Sequence, residues 1–264
     1  MANNDVKYKL IDLSKWNGKV DFAKVKTSGI DGVIIRTGFG VKSPNQIDRR
    51  FEEYYAGAKS VGLYVGAYHY SYAQSVAEAK SEAEFCCEII KGKKFEFPIY
   101  FDFEDKTQVH LSKQVCSEMV RAFCEVLEAN GYWAGIYSYD SFFQTHLDST
   151  IPKRYAVWVA RVENVFPKYV DEPLIGVHQY SWKGKIDGIS GDVDMDNAFK
   201  DYPSLIKSAK KNNLDDNITS YSVIGKQDNL SFEKANEVFT YLKKLGMEVE
   251  IKEGWFYFGF CNYK

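Results

Sequence analysis

The sequence has no long hydrophobic run and few cysteines, and both absences restrict what the protein can be. No apolar stretch approaches the roughly 20 residues of a membrane span, so we expect no membrane partner. The first residues, Met1–Asp5, have neither the basic nor the apolar region of a secretory signal, which predicts synthesis in a reducing cytosol. The five cysteines are odd in number and scattered, which argues against a disulfide framework and against a zinc site.

Strong net charge is also missing. The formal net charge is -2, which gives no reason to expect nucleic acid as a partner. Aromatic residues, in contrast, make up 16% of the chain, with 19 Tyr, 18 Phe and 5 Trp. Such a content suits a site that stacks on sugar rings, and it suits equally well a tyrosine-rich core.

Short strand-like and helical segments alternate along most of the chain. Helical patterns include one that follows the capping box Ser75-Val76-Ala77-Glu78 and one from Leu111 to Leu127 that ends at Asn130-Gly131. The predicted strands are Tyr8–Asp12, Gly32–Arg36, Leu63–Tyr70, Phe97–Glu104, Tyr132–Tyr137, Tyr155–Arg161 and Leu174–Tyr180. This alternation predicts an α/β fold with a parallel sheet. About eight strands in about 200 residues favour a closed, modified (β/α) barrel, irregular in its second half.

The chain is predicted to divide into two domains. Residues 1–206 would form the barrel, the polar stretch 207–217 a linker, and residues 218–264 a small α+β domain. The predicted elements of this tail are a strand at Thr219–Ile224, a helix from Ser231, and strands at Met247–Ile251 and Trp255–Cys261. A unit of this size buries little core by itself. We therefore expect it to pack on something, and Trp255–Phe260 could make the protein a homo-oligomer.

The strand Pro98–Glu104 carries acids at its end. Residues two apart on a strand share a face, so Asp102 and Glu104 point one way while Phe101 and Phe103 point the other. Two partly buried carboxyls so close together cannot both ionise cheaply, which raises the pKa of one of them. This is one way to keep a carboxylic acid protonated near neutral pH. The alternative is a solvated acidic turn.

Acids also lie at other predicted strand ends. Asp12 ends the first strand, and Asp194 lies in the run Gly191–Asp196 at the last one. Since catalytic residues of such barrels lie at the carboxyl ends of the strands, these acids should converge with Asp102 and Glu104. His69, Tyr137, Trp158 and Gln179 mark other strand ends, although each has a structural explanation too.

The motifs Asp12-x-Ser14, Gly66–Tyr70, Asp102-x-Glu104 and Gln179-Tyr180-Ser181 with Val193-Asp194 occur in an order that resembles family 25 of the glycoside hydrolases, the Chalaropsis-type N-acetylmuramidases. The resemblance covers about residues 7 to 200. It implies a lysozyme that cleaves the bond between N-acetylmuramic acid and N-acetylglucosamine in peptidoglycan. It also implies Glu104 as general acid, assisted by Asp102, Asp12 and Asp194, with no cofactor and no metal.

The expected mechanism assigns a raised pKa to Glu104 and a charged state to Asp102, which attacks the anomeric carbon or orients the substrate's acetamido group. Cβ atoms two residues apart on a strand are roughly 6–7 Å apart, between the spacings of retaining and inverting enzymes, so spacing alone does not fix the stereochemistry. The resemblance favours retention with acetamido assistance. The residues expected to bind substrate are Arg36, Tyr68, His69, Tyr70, Tyr137, Trp158, Gln179 and Tyr180.

The tail does not belong to the family's catalytic pattern and resembles a cell-wall-binding module of a phage endolysin. Such an enzyme would be made in the host cytoplasm and reach the wall after holin-type release. Two other readings stay open. Asp12, Asp102, Asp194 and His69 could instead form the metal site of a carbohydrate hydrolase or deacetylase. The chain could also be a non-catalytic wall-binding protein.

Overall fold

The computed structural model describes residues 5–162 and 165–214, together with Glu237, Thr240 and the strands 247–252 and 255–260. The chain divides into two compact units, Met1–Asp215 and Asp216–Lys264. No helix in the described part is both long and apolar enough to cross a bilayer.

The first unit is built around a closed barrel in which each strand pairs with the next and the eighth pairs with the first. The strands are β1 (Tyr8–Leu13), β2 (Gly32–Phe39), β3 (Tyr64–Tyr70), β4 (Ile99–Asp102), β5 (Ala134–Tyr139), β6 (Ala156–Ala160), β7 (Ile175–Gly184) and β8 (Val193–Ala198). The predicted eight-stranded α/β barrel is confirmed. The predicted parallel sheet is present from β1 to β7, and β8 differs by running antiparallel to β7 and β1. No helix separates β7 from β8, and a short connection returns the chain in the opposite direction.

Seven helices of this unit surround or close the barrel. They are α1 (Phe22–Thr27), α2 (Phe51–Ser60), α3 (Val76–Ile90), α4 (Lys113–Ala129), α5 (Asp140–Thr145), α6 (Ile151–Arg154) and α7 (Tyr202–Ser208). The side chain of Ser75 caps α3 by accepting a hydrogen bond from the Glu78 N–H, as its capping box predicts. Gly131 follows α4 with φ of 83°, a left-handed conformation that favours glycine and ends the helix.

The strands separate two apolar layers. The outer layer lies between the barrel and its helices, where for example the ring of Phe101 stacks on Phe123 of α4 with centroids 4.3 Å apart. The inner layer fills the barrel with residues such as Leu10, Tyr100 and Tyr202. Because successive residues of a strand face opposite sides, each strand contributes alternately to both layers.

The predicted linker 207–217 begins inside the barrel unit. Helix α7 runs to Ser208, and Asn212 is fully buried. The Asn212 side-chain amide donates to the carbonyls of Phe95 and Phe97 at 3.1 and 2.9 Å, and its oxygen accepts from the Trp133 N–H at 2.7 Å. This part of the polar stretch is therefore not a linker but is hydrogen-bonded to the barrel unit.

The second unit contains an antiparallel pair, β9 (Met247–Lys252) and β10 (Trp255–Phe260), with Met247 opposite Phe260 and Lys252 opposite Trp255. These two strands agree with the predicted ones. The predicted strand Thr219–Ile224 lies outside the described residues. So does most of the predicted helix from Ser231, in which Glu237 and Thr240 have helical backbone. The side chains of Trp255–Phe260 also lie outside the described part, so the proposed association surface stays a prediction.

Candidate active site

Three strands bring five carboxyl groups to one end of the barrel interior. Asp12 lies near the end of β1, Asp102 ends β4 with Glu104 two residues later, and Asp194 and Asp196 lie on β8. Because β8 is antiparallel, its amino-terminal half lies beside the carboxyl end of β1, with Asp194 directly opposite Asp12. The four acids that were predicted to converge therefore lie at the same end of the barrel. Asp194 comes from the amino-terminal half of β8, because that strand runs antiparallel to β1.

Strand alternation orients the pair on β4 as expected. The aromatic neighbours of Asp102 face outward, since the rings of Phe101 and Phe103 stack on each other and Phe101 packs on α4. Asp102 is only 3% exposed, while Glu104 is more accessible. One oxygen of each carboxyl, Asp102 Oδ1 and Glu104 Oε2, is buried without a hydrogen-bond partner among the described residues. Both oxygens thus have an unused capacity to accept a hydrogen bond.

Burial is the main cause of the electrostatics of this pair. It raises the pKa of Glu104 to about 7, although the nearby hydroxyls of Tyr139 and Tyr137 oppose the shift. Burial and the charge of Glu104 raise the pKa of Asp102 well above its ordinary value, with Arg36 acting in the opposite sense. Asp102 was expected to stay charged. In the free protein, burial shifts its pKa in the same direction as that of Glu104, because the deeper carboxyl has lost more of its hydration.

The second group of acids joins β1 and β8. Burial, followed by the charges of Asp196 and Asp194, raises the pKa of Asp12 well above its ordinary value. Burial also raises the pKa of Asp196 strongly and that of Asp194 to about 6. The carboxyls of Asp12 and Asp196 contact each other, so that a negative charge on one makes ionisation of the other less favourable.

Gln179 fixes the position of Asp12. Its Nε2 donates to Asp12 Oδ2 at 2.8 Å, and its Oε1 accepts from the Tyr137 hydroxyl at 2.8 Å and from Trp182 Nε1 at 2.9 Å. Since both sides of the amide are engaged, its orientation is determined by the network. Gln179 is 2% exposed and acts on a ligand mainly through the groups that it holds.

Trp158 forms the floor of the site. Its Nε1 donates to Asp196 Oδ1 at 2.7 Å, and its ring lies against Tyr137, Tyr100 and Tyr68 with centroid distances of 4.4, 5.2 and 5.8 Å. The side chain is 1% exposed. The prediction that Trp158 binds substrate is therefore wrong, because other rings cover the indole and its Nε1 is bonded to Asp196.

His69 lies on the opposite side of the sheet from the acids. Its ring is fully buried between Phe85 of α3 and Phe123 of α4, and its Nε2 donates to the Gly40 carbonyl at 2.8 Å. Burial lowers the pKa of His69 to about 4, so the ring is neutral and its Nδ1 accepts from the Thr37 hydroxyl. The prediction that His69 binds substrate is wrong. For the same reason His69 cannot complete the alternative metal site with Asp12, Asp102 and Asp194.

The remaining predicted residues differ in their access to the site. Tyr68 and Tyr137 face the interior and are nearly buried, while Tyr70 donates its hydroxyl to Asp105 Oδ2 at 3.0 Å. Arg36 lies close enough to Asp102 to affect its pKa, and its guanidinium is paired with Asp48 at 2.8 Å. Tyr180 lies near the ring of His178, which packs on Phe166, and the charge of Asp196 acts on its hydroxyl. Its assignment to substrate binding stays a prediction.

Three site residues escaped the sequence reasoning. Asp196 follows Asp194 by two positions, which is the same signal that singled out Asp102 and Glu104. Tyr139 adjoins Glu104, and Trp182 reaches back to Gln179 while its ring lies 6.3 Å from that of Tyr139. Trp182 is 45% exposed and so offers a sugar-sized apolar surface beside Glu104.

The comparisons with known proteins agree with this geometry. Residues 11–189 match the model of the glycosyl hydrolases family 25. The autolytic lysozyme of Clostridium acetobutylicum is 34% identical over 188 residues, which are 70% of this chain and 54% of that protein. The chain thus spans about half the length of this curated relative.

Two solved structures share the fold. The CTP1L endolysin is 26% identical with a TM-score of 0.64, covering 76% of this chain and 70% of its own. The autolysin LytC from Streptococcus pneumoniae, in complex with a synthetic peptidoglycan ligand, is 27% identical with a TM-score of 0.61, covering 72% and 46%. The family match extends over most of the barrel and includes Asp12, Asp102 and Glu104. On this evidence, the chain belongs to family 25 of the glycosyl hydrolases.

Proposed function

We propose that this chain is an N-acetylmuramidase that hydrolyses the β-1,4 bond between N-acetylmuramic acid and N-acetylglucosamine in bacterial peptidoglycan. The observation that carries the proposal is the Asp102–Glu104 pair, in which a carboxyl with a pKa of about 7 lies beside a deeper one. Glycoside hydrolysis uses two such carboxyl groups on either side of the scissile bond. Family membership and the likeness to a clostridial autolytic lysozyme support the choice of bond.

In the proposed reaction, Glu104 donates its proton to the glycosidic oxygen as the bond from that oxygen to the anomeric carbon breaks. Its pKa of about 7 keeps a useful fraction protonated at neutral pH, and it is more accessible than Asp102. The substrate's acetamido oxygen attacks the anomeric carbon, and Asp102 accepts the acetamido N–H. This hydrogen bond favours the charged form of Asp102, which the free protein disfavours. Water activated by Glu104 then opens the cyclic intermediate with retention.

Asp12 and Asp194 are placed to stabilise the positive charge that develops on the sugar ring. They face the β4 pair from the β1–β8 side of the barrel, and their charges raise the pKa values of their neighbours. In the free site these negative charges repel one another. In the transition state they attract the positive charge on the sugar ring and so stabilise it. The crowding of acids is thus the proposed source of catalytic stabilisation.

The biological setting that we propose is lysis of a host cell by a phage endolysin. The likeness to the CTP1L endolysin supports it, as does the division of the chain into a barrel unit and a second unit that includes a β-hairpin. In this setting the second unit binds the cell wall, and the enzyme reaches its substrate through a holin lesion.

The test is mass spectrometry of the fragments that the full chain releases from purified cell walls. We expect fragments with muramic acid at the reducing end. Glu104→Gln should lose nearly all activity, Asp102→Asn most of it, and Asp12→Asn or Asp194→Asn somewhat less. Glucosamine at the reducing end would mean a different bond specificity. A Glu104→Gln variant that lyses walls at the normal rate would refute the catalytic assignment.

A further inference from the structure

A small cavity adjoins the acids on the β1–β3 side of the barrel rim. Its volume is about 270 Å³, and its lining consists of Lys15, Trp16, Arg36, Phe39, Tyr70 and Tyr72. Two lining residues connect it to the catalytic pair. The charge of Arg36 acts on Asp102, and the hydroxyl of Tyr70 binds Asp105, the residue after Glu104. A glycan that passes over Glu104 can therefore reach this cavity.

The cavity has the apolar surfaces that sugar rings stack on. Trp16 is 78% exposed and Tyr72 is 46% exposed, both unusual for large aromatic side chains. The ring of Tyr72 is braced edge-on by Tyr70 at 5.2 Å and by Phe39 at 6.1 Å. Three rings from two neighbouring strand ends thus form one platform.

The loop that carries Lys15 and Trp16 is fixed at both sides. Ser14 caps the short 3₁₀ helix Lys15–Asn17, and the Asn17 side chain in turn accepts from the Ser14 N–H at 2.9 Å. The Lys15 N–H donates to the buried carboxylate of Asp48 at 2.9 Å. These bonds fix the backbone that carries Lys15 and Trp16 before any ligand arrives, which reduces the entropy lost on binding.

The charges in the cavity do not balance. Arg36 is neutralised by Asp48, which is itself buried. Lys15, in contrast, has no carboxylate within ion-pair distance in the described part of the chain. Its Nζ lies only over aromatic faces, 4.9 Å from the ring centroid of Trp16 and 5.5 Å from that of Phe39. The cavity therefore offers an unpaired cation beside a group of acids that repels anions.

We propose that Lys15 binds a carboxylate carried by the muramoyl residue of the substrate, while the rings of Trp16 and Tyr72 carry the adjoining sugar. The inference rests on the proposed muramidase function. Muramic acid differs from glucosamine by a lactyl ether that ends in a carboxyl group. That group is a free carboxylate in peptide-free strands, and in strands with stem peptides it forms an amide to a peptide that has carboxylates of its own. Lys15 is thus a specificity-determining residue.

The experiment measures KM and kcat of the full chain on soluble glycan strands of three kinds: peptide-free, bearing stem peptides, and peptide-free with the lactyl carboxyl converted to its methyl ester. For Lys15→Met we expect KM on peptide-free strands to rise about fivefold with kcat nearly unchanged, as is typical of a partly exposed charge pair. On the ester, wild type and Lys15→Met should have the same KM. A KM increase confined to strands with stem peptides would identify the stem as the source of the carboxylate.

The matched control is Lys19→Met, which removes an exposed lysine of the same loop outside the cavity lining. Lys15→Arg should restore most of the affinity, since it restores the charge. Equal loss on acid and ester strands, or no change on either strand that carries carboxylates, would overturn the proposal. Failure of wild type to release reducing-end muramic acid from any strand would instead refute the proposed function itself.

Discussion

The two faces of the barrel treat buried polar groups in opposite ways. On the outer face, His69 uses both ring nitrogens, one to Gly40 and one to Thr37, and the Thr37 hydroxyl also lies 3.1 Å from the Tyr68 carbonyl. On the inner face, Asp102 and Glu104 each keep a buried oxygen without a partner in the described part of the chain. Both faces are made by the same strands and differ only by alternate positions.

The difference shows which face of the barrel contains groups that destabilise the folded state. The hydrogen bonds of His69 on the outer face hold its ring in place and leave neither ring nitrogen free for a ligand. The inner face keeps several carboxyl groups with raised pKa values, which costs free energy in the folded state at neutral pH. The unpaired carboxyl oxygens of Asp102 and Glu104 on the inner face thus belong to the candidate active site, whereas the paired ring of His69 on the outer face is structural.

The largest expected effect on activity comes from pH, which acts through Glu104 on the inner face. Glu104 must be protonated to act as the acid, and burial raises its pKa to about 7. We therefore expect kcat/KM to fall about tenfold per pH unit above about pH 7. Rates measured from pH 5 to pH 9 on soluble strands test this. An alkaline limb that begins near pH 5 would contradict the assignment.

The protonation of Glu104 should also affect the free energy of unfolding, and the Glu104→Gln variant provides the control. The ordinary pKa of 4.5 applies in the unfolded chain and about 7 in the folded one, so the folded state binds more protons between these values. Stability should therefore fall as pH rises from about 4.5 to 7, by on the order of 3 kcal/mol for this group alone. In Glu104→Gln this part of the decline should be missing, with equal stability at pH 4 and a higher melting temperature at pH 8.

A smaller effect is expected from Asp196→Asn, which changes the inner face without touching the four predicted acids. The variant removes a negative charge that raises the pKa of Asp12, so that pKa should fall. It also weakens the bond from Trp158 Nε1. We expect about a tenfold loss of kcat, in the range of an ordinary charge-assisted hydrogen bond, and an acidic limb displaced to lower pH. An unchanged pH profile would mean that Asp196 has only a packing role.

The smallest effect on activity is expected from the outer face. Thr37→Val keeps the shape of the side chain and leaves His69 Nδ1 without a donor, which should cost about 1–3 kcal/mol of stability. The melting temperature should fall by several degrees while kcat stays the same. Thr27→Val, which removes an exposed hydroxyl from α1, is the matched control and should have little effect. A loss of kcat in Thr37→Val would contradict the conclusion that the outer face has a structural role.

The sequence was sufficient for the barrel and for most of the acids, because both depend on local rules. Alternation along one strand places Asp102 and Glu104 together, and the βα pattern predicts the closed sheet. The same rule would have excluded His69: if Tyr68 and Tyr70 face inward, the residue between them faces outward. Asp196 is indicated by Asp194 through the same alternation.

Other features depend on partners that are distant in sequence. Asn212 binds the carbonyl of Phe95, which is 117 residues away, and the N–H of Trp133, which is 79 residues away. Because these partners are distant in sequence, the polar residues around Asn212 look like a linker when the sequence is read alone. The antiparallel direction of β8 likewise follows from how the barrel closes. The charge state of Asp102 depends on burial that only the assembled interior supplies.

The antiparallel hydrogen bonds between β1 and β8 determine the positions of two carboxyl groups of the candidate active site. Asp194 and Asp196 face inward only in the observed register, in which Asp12 is opposite Asp194 and Leu10 is opposite Asp196. A slip of one residue would turn both side chains out of the barrel at once, whereas a slip of two would keep them inside and move them along its axis. A shift of β8 along β1 therefore keeps this half of the site inside the barrel only when it moves the strand by an even number of residues.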